Sequence, residues 1–228
     1  SLENVAILCH QYPDGDTLGS AAALRSALQK LGIRCDMSPG GMVPERLRFL
    51  AEGELYGLCS HETMEGNTVA PSLGGYAQPS IKSNSRFQGC SSPYTVEYDL
   101  IVALDTAERQ LLGENEPLAE QIAISIDHHR TSRPYCSGLN LCSPASAATG
   151  EIIFDLIEAL EVPLDAEIAL PLYTALATDT GCFRYSNTTA RTFEIAARCA
   201  ATGIDMARIN RQLFELVSRS QLALQGAL

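Results

Sequence analysis

The chain has 228 residues, which is enough for one sizeable α/β domain or two small ones. Hydrophobic residues make up 46% and charged residues 19%, as in an ordinary globular protein, and no apolar run approaches the ~20 residues that a membrane helix needs. The net charge of −11 argues against a basic groove for long nucleic acid. This charge is compatible with short, phosphorylated ligands, which a few arginines and bound cations could hold.

The eight cysteines do not predict a disulfide framework. None of them forms a C-x-x-C pair, and several, such as Cys9 and Cys199, lie inside apolar runs. Reduced, buried thiols are typical of proteins in a reducing compartment. The cysteines therefore predict a cytoplasmic location.

The N-terminal half predicts a sheet with helices between its strands. Short apolar runs predict strands at residues 5–9, 33–37, 100–104 and 122–126. Helices are expected at residues 21–31, 44–50 and 117–121. Thr17 is a candidate cap for the first of these helices, and Gly32 follows its end. Residues 53–96 are polar and aperiodic, which predicts either a functional flap or a disordered insertion.

The C-terminal half is predicted to be mainly helical. Helices are expected at residues 145–160, 165–177, 189–201 and 206–228. Residues 131–143 are expected to be irregular and residues 183–185 extended. Strands that alternate with helices predict an α/β fold with a mostly parallel sheet, flanked by helices on both faces. The predicted organisation is one α/β domain over residues 1–203 and a linker helix over residues 204–228.

Three of the predicted strands run directly into residues that can bind metal. These residues are His10, Asp14, Asp16, Asp105, Asp127, His128 and His129. Ligands of open α/β sheets bind beyond the carboxyl ends of the strands, so we expect one shared site. Carboxylates packed together repel each other unless cations intervene. An oxygen-rich set with some imidazole suits Mn²⁺ or Mg²⁺.

Four segments resemble the motifs of the DHH phosphoesterase family, in the RecJ-like superfamily. They are His10-Gln-Tyr-Pro-Asp-Gly-Asp-Thr-Leu-Gly-Ser20, Asp105-Thr106 with Arg109, Asp127-His-His129 and Thr178-Asp-Thr-Gly-Cys-Phe183. The chain most resembles the branch of bifunctional oligoribonucleases and 3′-phosphoadenosine-5′-phosphate (pAp) phosphatases. Members of that branch continue into a C-terminal substrate domain with a glycine-rich, basic motif. The resemblance implies that this chain is the N-terminal DHH domain and that residues 204–228 lead toward such a domain.

The resemblance implies two Mn²⁺ ions per chain, with Mg²⁺ or another divalent ion as a substitute. The ligands of the first ion would be His10, Asp14 and Asp105. The ligands of the second ion would be Asp16, Asp105, His128 and Asp179. Asp105 would bridge the two ions, and the water between them would be the nucleophile.

The resemblance also implies roles for residues around the metals. His129 would contact the scissile phosphate and stabilise its developing charge. Asp127 would orient a ligand of the centre. Arg109 would act in catalysis as a phosphate clamp, because a guanidinium can make bidentate contacts. Arg130 and Arg184 are further candidates for binding the substrate.

The predicted function is manganese-dependent hydrolysis of phosphodiester or phosphomonoester bonds in short nucleotides. The expected substrates are oligoribonucleotides a few residues long (nanoRNA) and pAp. Two enzymatic alternatives are a cyclic-dinucleotide phosphodiesterase and a family II inorganic pyrophosphatase. A non-enzymatic alternative is a metal-binding module without turnover. The expected partners are the nucleotide substrate and a second copy of the chain, with no long duplex nucleic acid and no membrane.

Overall fold

A parallel sheet of five strands, in the order β2-β1-β3-β4-β5, forms the centre of the computed structural model, which describes residues 2–50 and 97–216. The strands are β1 (Asn4–Leu8), β2 (Arg34–Ser38), β3 (Leu100–Leu104), β4 (Ile124–Asp127) and β5 (Leu139–Cys142). All neighbouring strands pair in parallel, and Val5 of β1 faces both Cys35 and Leu100. The predicted α/β fold with a parallel sheet is confirmed.

One face of the sheet is covered by α-helices. Helices α1 (Gly15–Lys30) and α2 (Thr149–Ala159) contact the strands, α3 (Ala166–Asp179) packs against α1 and α2, and α4 (Ala190–Ala201) packs against α3. Alternate strand residues, such as Ile7 and Leu104, are fully buried against these helices. Each such side chain contributes about 1.5–3 kcal/mol when it leaves water. This layer therefore holds the N-terminus of α1 and the C-terminus of α3 beside the strand ends.

The other face of the sheet is covered by a 3₁₀ segment, Arg109–Gln121. The intervening strand residues, including Ala6 and Leu8, pack against Leu112 and Leu118 of this segment. The alternation between the two cores follows from the two-residue period of a strand. Helical segments thus flank both faces, as predicted, but the helical segment on this face is 3₁₀ within the described residues.

Two predictions about local structure were wrong. Residues 139–142, expected to be irregular, form the edge strand β5, which pairs with β4 along its whole length. Residues 183–185, expected to be extended, form a tight turn after α3. The backbone N–H groups of Arg184 and Tyr185 both donate to the carbonyl of Thr180, which bends the chain back on the helix end.

Several helix ends also differ from the prediction. Helix α1 begins at Gly15 instead of residue 21, and its N-cap is Asp14, which accepts a hydrogen bond from the N–H of Thr17. Helix α2 begins at Thr149 instead of residue 145. The last predicted helix begins at Met206 as α5 (Met206–Asn210) and continues as a π-helical turn, Arg211–Glu215.

Some predictions fall partly or wholly outside the described residues. The polar segment 53–96 and residues 217–228 of the predicted linker helix belong to this group. Within residues 2–50 and 97–216 every cysteine is unpaired, and Cys9, Cys35, Cys136 and Cys199 are buried. No helix in the same two ranges combines the length and apolar character needed to cross a bilayer.

Candidate functional site

The six predicted metal ligands meet at the carboxyl end of the sheet. His10 follows β1, Asp105 follows β3, and His128 follows β4. Asp14 and Asp16 lie at the start of α1, and Asp179 is the last residue of α3. The parallel order of the strands brings these side chains to one edge, as expected for this class of sheet.

The first group of ligand atoms belongs to His10, Asp14 and Asp105, and these atoms all lie within 4.8 Å of one another. The Nε2 atom of His10 is 3.9 Å from Oδ1 of Asp14 and 3.7 Å from Oδ2 of Asp105. These separations are too long for hydrogen bonds. They leave room for a cation that all three side chains could hold.

The second group belongs to Asp16, His128 and Asp179, whose ligand atoms also lie within 4.8 Å of one another. The Nε2 atom of His128 is 3.7 Å from Oδ2 of Asp16 and 3.3 Å from Oδ2 of Asp179. It is also 3.8 Å from Oδ1 of Asp105. Asp105 therefore presents one carboxylate oxygen to each group.

The surroundings of His128 fit a cation. Its Nδ1 lies 3.3 Å from the carbonyl oxygen of Ser146, a contact in which the ring nitrogen donates its proton. Its Nε2 is buried, has no hydrogen-bond partner among the described residues, and faces three carboxylates. The lone pair of this nitrogen and the carboxylate oxygens would repel each other, and a divalent ion between them would remove the repulsion. The donor set of carboxylate oxygens and imidazole nitrogen suits such an ion.

The carboxylate of Asp105 is fixed by hydrogen bonds from two threonines. Thr17 donates its hydroxyl to Oδ2, and Thr149 donates its hydroxyl to Oδ1 at 3.0 Å. The backbone of Asp105 has a φ of 55°, in the left-handed region. Such a conformation costs about 1–3 kcal/mol and is tolerated best by Asn and Asp among non-glycine residues. Strand β3 thus ends in a strained residue whose side chain is held between the two groups.

The carboxylate of Asp16 is fully buried and receives three hydrogen bonds. They come from the N–H groups of Thr149 (2.7 Å) and Gly150 (3.0 Å) and from the hydroxyl of Ser20 (3.0 Å). The N-terminus of α2 therefore points at this carboxylate, where the helix dipole favours negative charge. Sequence reasoning missed the roles of Thr149 and Gly150 because it began this helix four residues too early.

Burial and mutual repulsion shift the acidity of the carboxylates. Burial, and after it the charge of Asp105, raises the pKa of both Asp14 and Asp16. Burial likewise raises the pKa of Asp179, to about 6. Burial also pushes the pKa of Asp105 upward, but the nearby imidazole of His10 and the hydrogen bond from Thr17 outweigh it and leave the pKa below its ordinary value. The protein alone therefore supplies too little positive charge for these acids.

His129 and Asp127 form a close pair beside the two groups. The Nδ1 atom of His129 donates to Oδ1 of Asp127 at 2.7 Å, and the N–H of His128 donates to the same oxygen at 2.8 Å. The hydrogen bond to Asp127 raises the pKa of His129 to about 9. Burial pushes the pKa of Asp127 upward, but the bond from His129 outweighs this and lowers it. In the metal-free protein this hydrogen bond therefore favours the protonated imidazole.

A cavity of about 520 Å³ opens beside the first group. Its lining includes His10, Asp14, Asp105 and His129, together with Tyr12, Glu108, Thr131 and Arg133. Arg133 was not among the site residues predicted from the sequence. No local pattern around it distinguishes it from the other exposed arginines, so its position depends on the fold.

The three arginines predicted at the site have other surroundings. Arg109 donates to Glu116 at 2.6 Å and to Glu120 at 2.5 Å, and it does not line the cavity. Arg184 donates its Nε to the carbonyl of Gly181 at 2.6 Å. Arg130 is exposed next to His129. Substrate binding by Arg109, Arg130 and Arg184 stays a prediction.

The chain is similar to several known proteins. It is 32% identical, over 92% of its length and 53% of the relative's, to the bifunctional oligoribonuclease and PAP phosphatase NrnA of Thermus thermophilus. It is 26% identical, over 95% of its length and 30% of the relative's, to the cyclic-di-AMP phosphodiesterase GdpP of Geobacillus thermodenitrificans. The chain thus spans about half the length of the NrnA protein it matches.

A solved structure shares the fold. The crystal structure of an exopolyphosphatase-related protein from Bacteroides fragilis matches 99% of this chain and 60% of its own, with a TM-score of 0.73 and 21% identity. The profile of the DHH family, N-terminal domain, matches residues 4–176, and Asp179 lies just beyond that span. The fold, the matched residues and the resemblance of the motifs agree, so the chain belongs to the DHH family of phosphoesterases.

Proposed function

We propose that this chain hydrolyses phosphate esters of short nucleotides with the help of two divalent cations, preferably Mn²⁺. The observation that carries the proposal is the position of Asp105, which belongs to the first ligand group and whose Oδ1 lies 3.8 Å from Nε2 of His128 in the second. One ion would be held by His10, Asp14 and Asp105. The other would be held by Asp16, Asp105, His128 and Asp179. Carboxylate oxygens combined with imidazole nitrogens favour Mn²⁺ over metals that prefer thiolates.

A pair of bound divalent ions supplies Lewis-acid stabilisation of phosphate oxygens and lowers the pKa of a coordinated water. The chain's own residues would do the remaining work. His129, whose Nδ1 donates to Asp127, lines the cavity and would donate from its other ring nitrogen to a phosphate oxygen there. A fixed donor of this kind stabilises the charge that develops during displacement. Thr17 and Thr149 would keep Asp105 from rotating as that charge moves.

Short nucleotides are the proposed substrates for three reasons. The relative with 32% identity is named for oligoribonuclease and PAP phosphatase activities. The cavity of about 520 Å³ has the size of an ordinary small-molecule pocket, in the range of about 300–1,000 Å³. The net charge of −11 also disfavours long nucleic acids, which need clustered basic residues.

Hydrolysis of a cyclic dinucleotide is the second candidate. It is supported by the similarity to GdpP, which extends over 95% of this chain. A cyclic dinucleotide has two diester phosphates and no terminal phosphate. The two candidates therefore differ in whether the preferred substrate carries a terminal phosphate group.

The test is a panel of substrates with Mn²⁺, Mg²⁺ or a chelator. The panel contains pAp, a 5′-phosphorylated diribonucleotide, cyclic di-AMP, pyrophosphate and the generic diester bis-p-nitrophenyl phosphate. We expect Mn²⁺-dependent turnover with the highest kcat/KM for pAp or the diribonucleotide, and loss of turnover in Asp179→Asn. A preference for cyclic di-AMP would establish the second candidate. Full metal loading without turnover of any substrate would show that the chain only binds metal.

A further inference from the structure

We propose that Arg133 forms a subsite for a terminal phosphate group on the part of the substrate that is not cleaved. This inference rests on the proposed function and adds a specificity to it. It identifies the preferred ligands as nucleotides with a phosphomonoester end in addition to the bond under attack. The cavity, the position of Arg133 and the charges around it each support this assignment.

The cavity approaches the metal-ligand groups from one side. Its lining includes His10, Asp14 and Asp105 of the first group, but not Asp16, His128 or Asp179. A substrate bound in this cavity contacts the first group and His129. The rest of the lining, which includes Tyr12 and Arg133, is available to the remaining atoms of the substrate.

Two backbone hydrogen bonds fix the segment that carries Arg133. The N–H of Arg133 donates to the carbonyl of Ala107 at 2.9 Å, and the N–H of Ser132 donates to the carbonyl of His129 at 3.1 Å. Ala107 itself lies two residues after Asp105 and also lines the cavity. The backbone of Arg133 is therefore tied to the same strand end that presents Asp105.

The guanidinium of Arg133 is available for an anion. In the described part of the chain it makes no ion pair and no side-chain hydrogen bond, whereas Arg109 already binds two glutamates. Among the described residues that line the cavity, Arg133 alone carries a permanent positive charge. Its neighbours in that lining include the carboxylates of Asp14 and Glu108. A phosphate bound next to Arg133 would be repelled by these two carboxylates, and the guanidinium offsets this repulsion.

A terminal phosphate suits Arg133 better than a diester does. A phosphomonoester carries about −1.5 to −2 charges at neutral pH and three acceptor oxygens. A guanidinium can bind two of these oxygens at once. The exposed ring of Tyr12, 73% accessible, lies in the same lining and offers an aromatic face for the nucleoside between the two phosphates.

The first test compares Arg133→Gln with Arg208→Gln, at an exposed arginine of α5 that has no role in the proposed site, as the matched control, in Mn²⁺. The substrates are the diribonucleotide pApA, the same dinucleotide without its 5′-phosphate (ApA), and bis-p-nitrophenyl phosphate. We expect Arg133→Gln to lower kcat/KM for pApA by about 10- to 100-fold, mainly through KM, because a hydrogen bond to a charged group is lost. ApA and the generic diester should change less than about twofold on the same reasoning. Arg133→Lys should recover part of the loss, since it keeps the charge without the bidentate geometry.

A second measurement separates failure of this inference from failure of the proposed function. Calorimetry of the Mn²⁺-loaded chain with 5′-AMP and with adenosine needs no turnover. We expect Arg133→Gln to weaken binding of 5′-AMP and to leave adenosine unchanged. Equal losses on all three substrates, or unchanged affinity for 5′-AMP, would overturn the assignment of Arg133. Absence of turnover with Arg133-dependent binding of 5′-AMP would overturn only the proposed function.

Discussion

The hydroxyl of Thr149 donates to Oδ1 of Asp105 at 3.0 Å. The N–H of the same residue donates to Oδ2 of Asp16 at 2.7 Å. One fully buried residue at the start of α2 thus binds a carboxylate shared by both ligand groups and a carboxylate of the second group. The position of α2 therefore sets how far apart these two carboxylates lie.

Replacing this hydroxyl should weaken metal binding. Thr149→Val keeps the shape of the side chain and the backbone N–H that binds Asp16. It removes the hydroxyl that donates to Asp105. We expect its affinity for Mn²⁺ to fall by about 10- to 100-fold, since a hydrogen bond to a charged group contributes about 1.5–3 kcal/mol. Thr149→Ser, which retains the hydroxyl, should bind nearly as well as the unmodified chain. Titration calorimetry provides the measurement, and equal affinities for the valine and serine variants would contradict the role.

The pair of His129 and Asp127 should make the stability of the metal-free protein depend on pH. The pKa of His129 is raised to about 9, so its contribution is fully present below about pH 6.5 and is lost as the pH rises through about 9. Because 46% of the side chain is exposed, solvent screening reduces the contribution to about 1 kcal/mol. The pKa of Asp127 is lowered, so its own contribution disappears on acidification below its ordinary value.

The measurement is urea unfolding of the chain and of His129→Gln in the presence of a chelator. We expect the two proteins to differ in free energy of unfolding by about 1 kcal/mol at pH 6 and to converge by about pH 10. Both proteins contain the same nearby acids, so the titration of these acids largely cancels in the difference between their free energies of unfolding. A difference that stays constant over this range would show that His129 stabilises the fold without being protonated.

The close contact of α1 with α3 gives a prediction about stability. A Cβ atom added to Gly19 would lie 2.4 Å from the carbonyl oxygen of Pro171 and 2.9 Å from the N atom of Ala175. We expect Gly19→Ala to destabilise the protein by about 1–3 kcal/mol, because the two helices must move apart. The exposed residue Gln29, in the same helix, provides the control, and Gln29→Ala should change stability by less than about 0.5 kcal/mol. Wild-type stability for Gly19→Ala would show that the helices can separate freely.

The clustering of the candidate ligands could be predicted because its signals are local. An apolar run that ends in Asp or His marks the carboxyl end of a buried strand, and parallel strands bring those ends together. The start of α2 could not be predicted in the same way. Its N-cap, Ala148, provides no side-chain hydrogen bond, and the first N–H groups are bound instead by Asp16 from α1. The capping group lies more than 130 residues away in the sequence.

The arginines show the same limit of local reasoning. Arg109 belongs to the second motif and has the expected spacing, but the chain turns at Gly113, where φ is 56°, and brings Glu116 and Glu120 back to it. Arg133 reaches the cavity because its backbone binds the carbonyl of Ala107. The ion pairs of Arg109 and the position of Arg133 both depend on contacts between separate segments, and no short sequence pattern describes such contacts.

The shared carboxylate of Asp105 is the centre of the proposed mechanism, and its removal tests the account most directly. Asn, like Asp, tolerates a left-handed backbone, so the Asp105→Asn variant should fold. The substitution removes the negative charge that both ligand groups would share. The measurement is the metal content of the Mn²⁺-saturated protein after exchange into metal-free buffer, together with turnover of pAp. We predict two ions and turnover for the unmodified chain, and loss of both ions and of turnover for Asp105→Asn. Two retained ions in the folded variant would contradict the bridged centre.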